Sequence, residues 1–324
     1  MNEALWKLLP AAVEKVGAGG PPEYYKEMTE ADLAPGWARP TPSIWSKPRR
    51  NFIPNVWRYS DARTALERSG EYVPMELTER RNLIMVNPVE GNLYATVRNM
   101  VAAYQLILPG EVADEHRHTP HALRLILDGK APVYTVVNGE RIDMAPGDVV
   151  LTPGMHWHGH ANDSDTSAMW IDVLDVPLVQ HLESMFFEEY EGELRRPAGA
   201  AIGSPFRFET HKIVNESGLL KGHKAGIIPI ATAALPTMDL SYIVLPSGSQ
   251  YALPEATESR ILAVISGKAD VQIGDQSWTL GRGDVAAVPL WTPFSLDTQE
   301  NTVVFSVSDK PVHQELGYYH TSET

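Results

Sequence analysis

Six of the eleven histidines lie between His116 and His160. His116 and His118 are separated by one residue, and His156, His158 and His160 repeat the same step. In a strand, side chains at i and i+2 point to one face. Each group would therefore set imidazoles side by side. A lone histidine is usually a satisfied core or surface residue, whereas two such groups make a pattern for a metal. Neutral imidazole suits iron, copper, zinc and nickel alike, and spacing does not choose among them. Three ligands on one face leave coordination positions open for a substrate and a small second reactant. Arg124 follows His116 at even spacing and would share the ligand face of a continuous strand. Its planar fork could pair bidentately with a substrate carboxylate. The competing role for Arg124 is an internal ion pair with Asp172 or Asp175.

The elements that must position these residues read as short strands. Asp128-Gly129, Asn138-Gly139 and Pro146-Gly147-Asp148 punctuate the apolar runs Leu125–Leu127, Val133–Val137 and Val149–Leu151. Asn-Gly and Asp-Gly between such runs are hairpin cues. Many short, evenly spaced strands imply an all-β sandwich or barrel of the jelly-roll class, which includes cupins.

Two stretches resemble the paired cupin motifs. The first, G-x5-H-x-H-x3,4-E-x6-G, aligns with Gly110, His116, His118 and Gly129. The second, G-x5-P-x-G-x2-H-x3-N, aligns with Gly147, Pro153, His158 and Asn162. Ala122 stands at the glutamate position and Met155 at the second glycine. The resemblance thus implies a metal site of His116, His118 and His158 without a carboxylate. Pro153 and Asn162 favour His158 over its neighbours His156 and His160, and His121 breaks the period. The strings HRHTPHALRLILDG, GDVVLTP, WHGH and WIDVLDVPLV resemble the gentisate 1,2-dioxygenase group. That group includes relatives cleaving salicylate, substituted salicylates and 1-hydroxy-2-naphthoate.

The resemblance implies an Fe(II)-dependent dioxygenase that opens an ortho-hydroxybenzoate between the carboxyl-bearing and hydroxyl-bearing carbons. Gentisate and a 5-substituted salicylate, such as the nitro compound, are the leading substrates, with O2 as co-substrate. Zinc cannot serve, because it has no accessible redox state. By resemblance Gln105 and His160 touch the substrate, His160 at the phenolate, and arginines resembling Arg80 or Arg81 anchor it. Asp172 would orient His160 or Arg124. Ala103 stands where gentisate-cleaving relatives often have glycine, so its methyl would bear on the 5-substituent. Gly159 in WHGHAN replaces a carboxylate of the more familiar string, which would suit an electron-poor, anionic ring. A non-catalytic ligand-binding or sensor cupin, and a cupin isomerase, are rival readings; oxygen uptake with metal analysis separates them.

The second half repeats the first. Gly281-Arg282-Gly283-Asp284-Val285 matches Ala145-Pro146-Gly147-Asp148-Val149, and Ile265-Ser266-Gly267 matches Leu127-Asp128-Gly129. The chain therefore reads as a bicupin, two jelly-roll barrels behind an N-terminal helical and proline-rich arm. Expected domains are the arm at 1–75, a metal-binding cupin at 76–197 and a second cupin at 198–324. The positions matching the ligands in the second cupin are Pro254, Ala256 and Phe294, none able to coordinate, so a metal-free structural copy is expected. Leu178 to Tyr190 reads as an amphipathic helix before the linker. Helices are also expected near Leu5–Val16, Tyr24–Leu33 and Ser60–Ser69. The aromatic arm from Trp37 to Trp57 should pack on the body or across a homo-oligomer, a tetramer by resemblance.

Composition narrows the classes. Of the 324 residues 43% are hydrophobic and 21% charged, as in globular chains. Without cysteine, disulfide scaffolds, thiolate metal sites and cysteine nucleophiles are excluded. No run of eighteen apolar residues suggests a membrane span, and the start lacks a secretory signal pattern. A cytoplasmic protein is the simplest expectation. A formal charge of −14 argues against nucleic-acid binding. It also requires a local basic pocket for an anionic substrate.

Overall fold

A computed structural model of the chain describes residues 21–38, 44–74 and 81–322. The helix expected near Leu5–Val16 lies outside them. Tertiary contacts divide the chain into two units, residues 1–48 and 49–324. In the first unit, α1 (Pro22–Glu30) begins on a proline and carries Glu23 in its first turn. Proline's fixed φ suits that position, and the carboxylate complements the helix dipole.

The second unit opens with β1 (Asn55–Trp57) and α2 (Tyr59–Tyr72). A first barrel follows: β2 (Arg81–Ile84), β3 (Val101–Ile107), β4 (Val112–His118), β5 (Ala122–Asp128), β6 (Val133–Val137), β7 (Glu140–Asp143), β8 (Val149–Thr152), β9 (His158–Asn162) and β10 (Ala168–Leu174). After it come α3 (Val176–His181), β11 (Phe187–Glu189), β12 (Arg207–Phe208) and α4 (Thr210–Ser217). The second barrel comprises β13 (Gly226–Ile230), β14 (Asp239–Leu245), β15 (Gln250–Leu253), β16 (Arg260–Ser266), β17 (Ala269–Ile273), β18 (Gln276–Leu280), β19 (Val285–Val288), β20 (Phe294–Asp297) and β21 (Thr302–Ser308), closed by α5 (Lys310–Glu315). The architecture is the all-β, two-barrel arrangement read from the sequence. Among the described residues no helix is long and apolar enough to cross a membrane.

Each barrel pairs a six-stranded sheet with a smaller one. The sheets run β12-β8-β5-β10-β3-β2 with β11-β4-β9-β6-β7, and β1-β19-β16-β21-β14-β13 with β15-β20-β17-β18. The largest apolar cluster lies between the two six-stranded sheets. It joins Tyr104, Leu123, Leu125 and Ile171 of the first to Tyr242, Ile261, Ala263 and Phe305 of the second. Burying each large side chain there contributes roughly 1.5–3 kcal/mol. The intervening residues on the same strands face the barrel interiors. Ile107, Ile126 and Trp170 fill the first, and Leu262, Val264 and Val304 fill the second.

The barrels exchange edge strands. β1, which precedes the first barrel, pairs with β19 of the second; β12, which precedes the second, pairs with β8 of the first. Each strand brings an arginine to the aspartate of the other barrel's Gly-Asp turn, Arg58 to Asp284 at 2.7 Å and Arg207 to Asp148 at 2.8 Å. The expected proline-rich arm thus ends in regular structure. The expected helix over Leu178–Tyr190 is also corrected. It stops at His181, and Phe187–Glu189 becomes an edge strand along β4. Thr119 draws this segment into the ladder, its N–H donating to the Phe186 carbonyl and its hydroxyl accepting from the Phe186 N–H.

Candidate metal centre

The smaller sheet of the first barrel carries the histidines. His116 on β4 lies directly opposite His158 on β9, and His118 is one step of two further along. The rings of His116 and His158 are 4.3 Å apart between centroids, and those of His118 and His158 are 4.9 Å apart. One nitrogen from each of the three lies within 4.8 Å of the others, and all three residues are buried. The backbone sets which nitrogen faces a metal. Nδ1 of His116 lies 3.1 Å from the Asp114 carbonyl, Nδ1 of His118 lies 2.8 Å from the Pro120 carbonyl, and Nδ1 of His158 lies 2.9 Å from the His156 carbonyl. A carbonyl only accepts, so each Nδ1 carries the proton and Nε2 becomes the lone-pair atom. Nε2 of His158 is buried with no hydrogen-bond partner among the described residues. Burial, reinforced by the charge of Arg124, holds the His158 imidazole well below the usual histidine range. It is therefore neutral and available as a ligand. This donor set fits a divalent transition-metal ion.

The six-stranded sheet faces these ligands across the barrel. Arg124 on β5 is opposite Asp172 on β10, and Asp172 is in turn opposite Ala103 on β3. The Arg124 Nε lies 3.1 Å from Asp172 Oδ1, and Nη1 donates to the Thr152 hydroxyl at 2.9 Å. Arg124 is 1% exposed. The ion-pair partner is thus Asp172. Asp175, the other candidate, instead accepts from the His121 N–H and the Thr237 hydroxyl. Gln105 sits opposite Trp170 on the same interior face. His160 is fully buried, its ring 6.2 Å from His158 and 5.6 Å from Trp170.

Other sequence candidates fall elsewhere. Arg80 lies outside the described residues. Arg81 is opposite Leu106, whose side chain belongs to the inter-barrel core, so Arg81 is on the far face of the sheet from Gln105. Its Nη1 donates to both Glu111 oxygens at 2.6 and 2.7 Å, and its Nε donates to the Val73 carbonyl. An arginine so engaged is a structural tie rather than a substrate anchor. His156 does not share the ligand face either. Met155 takes a left-handed φ of 60° and β9 begins only at His158, so the period of two breaks between them. The His156 ring instead meets Phe206 edge-on. Gly159 points outward, away from the ligands. A Cβ there would lie 2.6 Å from Leu194 Cδ1 and 2.9 Å from the Ala113 carbonyl oxygen. Its glycine reflects close packing, not a charge removed from the pocket.

Residues 103–174 match the cupin domain family model. The chain is 33% identical to gentisate 1,2 dioxygenase 1 of Aquipseudomonas alcaligenes over 93% of this chain and 95% of the relative. It belongs to the gentisate 1,2-dioxygenase family. Another relative is 5-aminosalicylate 1,2-dioxygenase of Comamonas sp, 30% identical over 91% of this chain and 88% of the relative. Among solved structures, salicylate 1,2-dioxygenase from Pseudaminobacter salicylatoxidans superposes with a TM-score of 0.83 at 28% identity, covering 93% of this chain and 96% of that one. The same enzyme has been solved as an adduct with gentisate, at a TM-score of 0.83 and 27% identity over 94% of each chain. With these relatives the two barrels are a bicupin.

Proposed function

We propose that the chain is an Fe(II)-dependent 1,2-dioxygenase that opens an ortho-hydroxybenzoate between its carboxyl-bearing and hydroxyl-bearing carbons. Gentisate or a 5-substituted salicylate is the substrate, and both atoms of O2 enter the product. The observation that carries this is the cluster of His116, His118 and His158 facing the buried Arg124, in a chain of this family. Bound by the three Nε2 atoms, Fe(II) would supply the redox chemistry and gather the reactants. Arg124 takes the substrate carboxylate, and its plane is held ready by Asp172 and Thr152. His160 hydrogen-bonds the phenolate oxygen, and Gln105 contacts the substrate from β3. Ala103, on the face shared with Gln105, bears on the 5-substituent. Closure of the barrel around these groups excludes water, which strengthens each charge interaction.

The domain limits near residues 75 and 197, a cytoplasmic location and one iron per chain complete this reading. So does a homotetramer, which Trp37 and Trp45 support by being 55% and 48% exposed. Light scattering of a chain lacking residues 1–48 should show a smaller assembly; an unchanged subunit number would remove the arm from the interface. The deciding experiment is oxygen uptake by iron-loaded protein with gentisate, salicylate, 5-aminosalicylate, 5-nitrosalicylate and 1-hydroxy-2-naphthoate. Uptake with one or more supports the reading. Iron retention without uptake on any would make the protein a ligand-binding cupin instead.

A further inference from the structure

The residues that alternate with the metal ligands point out of the barrel, and one segment engages all four of them. Glu115 and Arg117 flank His116, and Trp157 and Gly159 flank His158. The segment from Phe187 to Arg196 runs over this outer face. Glu188 accepts from Arg117 Nε at 2.7 Å. The Tyr190 N–H donates to the Glu115 carbonyl at 2.9 Å, and the Tyr190 ring meets Trp157 edge-on at 5.3 Å. Leu194 packs where a Gly159 side chain would otherwise stand. Arg195 donates through Nε to both Glu115 carboxylate oxygens at 3.0 Å, and also through Nη2. The Glu115 side chain is 0% exposed although it lies on the outside of the sheet, because this segment covers it.

The covering matters because the ladder beneath it is broken. β4 and β9 pair with a register shift between Ala113 and His116, and Glu115 sits within that irregular stretch. The shift leaves Asp114 and Glu115 outside the β4–β9 register directly before His116, which itself lies opposite His158 and Glu189, so β9 alone does not hold the stretch of β4 that leads into the ligand. We propose that the Glu115–Arg195 pair is a positioning clamp for the metal centre: by holding the irregular part of β4 from outside, it sets the direction of His116 and so the affinity of the site. The inference rests on the metal assignment made above. The neighbouring Phe187 ring, stacked on His116 at 5.5 Å, belongs to the same segment and is carried by the same clamp.

The test is Co(II) titration of the metal-stripped, full-length protein against a competing chelator, with the visible Co(II) spectrum reporting coordination. Arg195→Met keeps the stem and removes the fork. It should weaken Co(II) binding by about 10- to 100-fold, the usual effect of losing a group that orients a ligand, and should alter the spectrum. Arg195→Lys keeps the charge and should recover part of the loss. Arg207→Met is the control. It likewise strips an arginine from a buried carboxylate, Asp148, but away from the ligands, and Co(II) binding should stay within about twofold. Should Arg195→Met fail to fold, Tyr190→Leu loosens the same segment and should weaken binding about threefold or more. Equal binding by Arg195→Met and Arg207→Met, or unchanged binding by Tyr190→Leu where it stands in, would overturn the clamp. Activity plays no part in this readout. A wild-type chain that binds Co(II) but, iron-loaded, consumes no oxygen refutes the proposed reaction alone, whereas one that binds no Co(II) refutes both proposals.

Discussion

The two barrels share a frame and differ on one face. Asp175 and Asp309 occupy matching places after β10 and β21. Each carboxylate accepts from the N–H, and each aspartate N–H donates to the carbonyl, of the residue that precedes β5 or β16, His121 and Ser259. The turns that follow Pro153 and Pro289 also match: the Met155 N–H donates to the His118 carbonyl and the Trp291 N–H to the Ala256 carbonyl, each at 2.7 Å. Ala256 thus stands where His118 stands. Across from one another in the first barrel are Arg124 and Asp172; their counterparts are Leu262 and Ser306. Gln105 is replaced by Ile243, opposite Val304 as Gln105 is opposite Trp170. Among the described residues, the second barrel carries a buried cation, Arg260, at the place of Ala122. Arg260 there donates to Glu258 and Ser306, at 2.9 and 2.6 Å. The lesson is that the frame tolerates either a polar, ligand-bearing interior or an apolar one closed by its own ion pair. Strand pairing and the inter-barrel core hold the fold in both.

The sharpest break of this comparison would be a metal in the wrong barrel. Purified protein should carry about one iron per chain by elemental analysis. His116→Ala, His118→Ala and His158→Ala should each bring iron retention and turnover to background, a loss of at least about 100-fold. Two irons per chain, or full retention in His158→Ala, would undo the assignment. The arginines come next. Arg124→Ala should keep iron and lower kcat/KM by about 30- to 1000-fold with every carboxylated substrate, because a charge-assisted pair in a dry pocket is lost. Arg260→Ala leaves Glu258 buried without its partner and should cost roughly 3–5 kcal/mol of stability with iron retained. If thermal melts and kinetics show the reverse pattern, the two interiors have been assigned to the wrong roles.

A smaller effect is pH-dependent. The folded chain keeps His158 neutral, whereas the unfolded chain protonates it near pH 6.5. The unfolded state therefore binds more protons below that value, so stability is fully present above about pH 6.5 and falls as pH drops. Metal-stripped protein should lose about 1 kcal/mol per pH unit to this group, and His158→Ala should flatten the slope. Phe294, its counterpart, cannot titrate. Gly159→Ala should cost about 1–3 kcal/mol by overpacking Leu194 and leave the substrate ranking unchanged; a changed ranking would restore a pocket role. Met155→Gly should raise stability by about 1–2 kcal/mol, since Met155 holds a left-handed φ of 60° that glycine adopts without strain. No gain in thermal melts would show that the Met155 side chain contributes as much as the strain costs.

What the sequence determined by itself was local or repetitive. Turn residues between short apolar runs marked the strands, and motif spacing singled out His116, His118 and His158. The second half's matching turns exposed Pro254, Ala256 and Phe294 at the ligand positions. These signals were legible because each depends on residues a few positions apart. What only the tertiary structure decided depends on partners far away in the chain. Alternation along a strand gives relative faces but not which face is inside, so Arg81 looked like an anchor until Glu111 and the inter-barrel core claimed its side. It also presumes an unbroken strand, and the left-handed turn at Met155 separated His156 from the ligands. Gly159 took its meaning from Leu194, and Asn55–Trp57 took theirs from β19, contacts that no local pattern announces. The proton on each ligand's Nδ1 was set by the backbone carbonyls of Asp114, Pro120 and His156. Such carbonyls are present at every residue, and only the folded path of the chain aims these three at the rings.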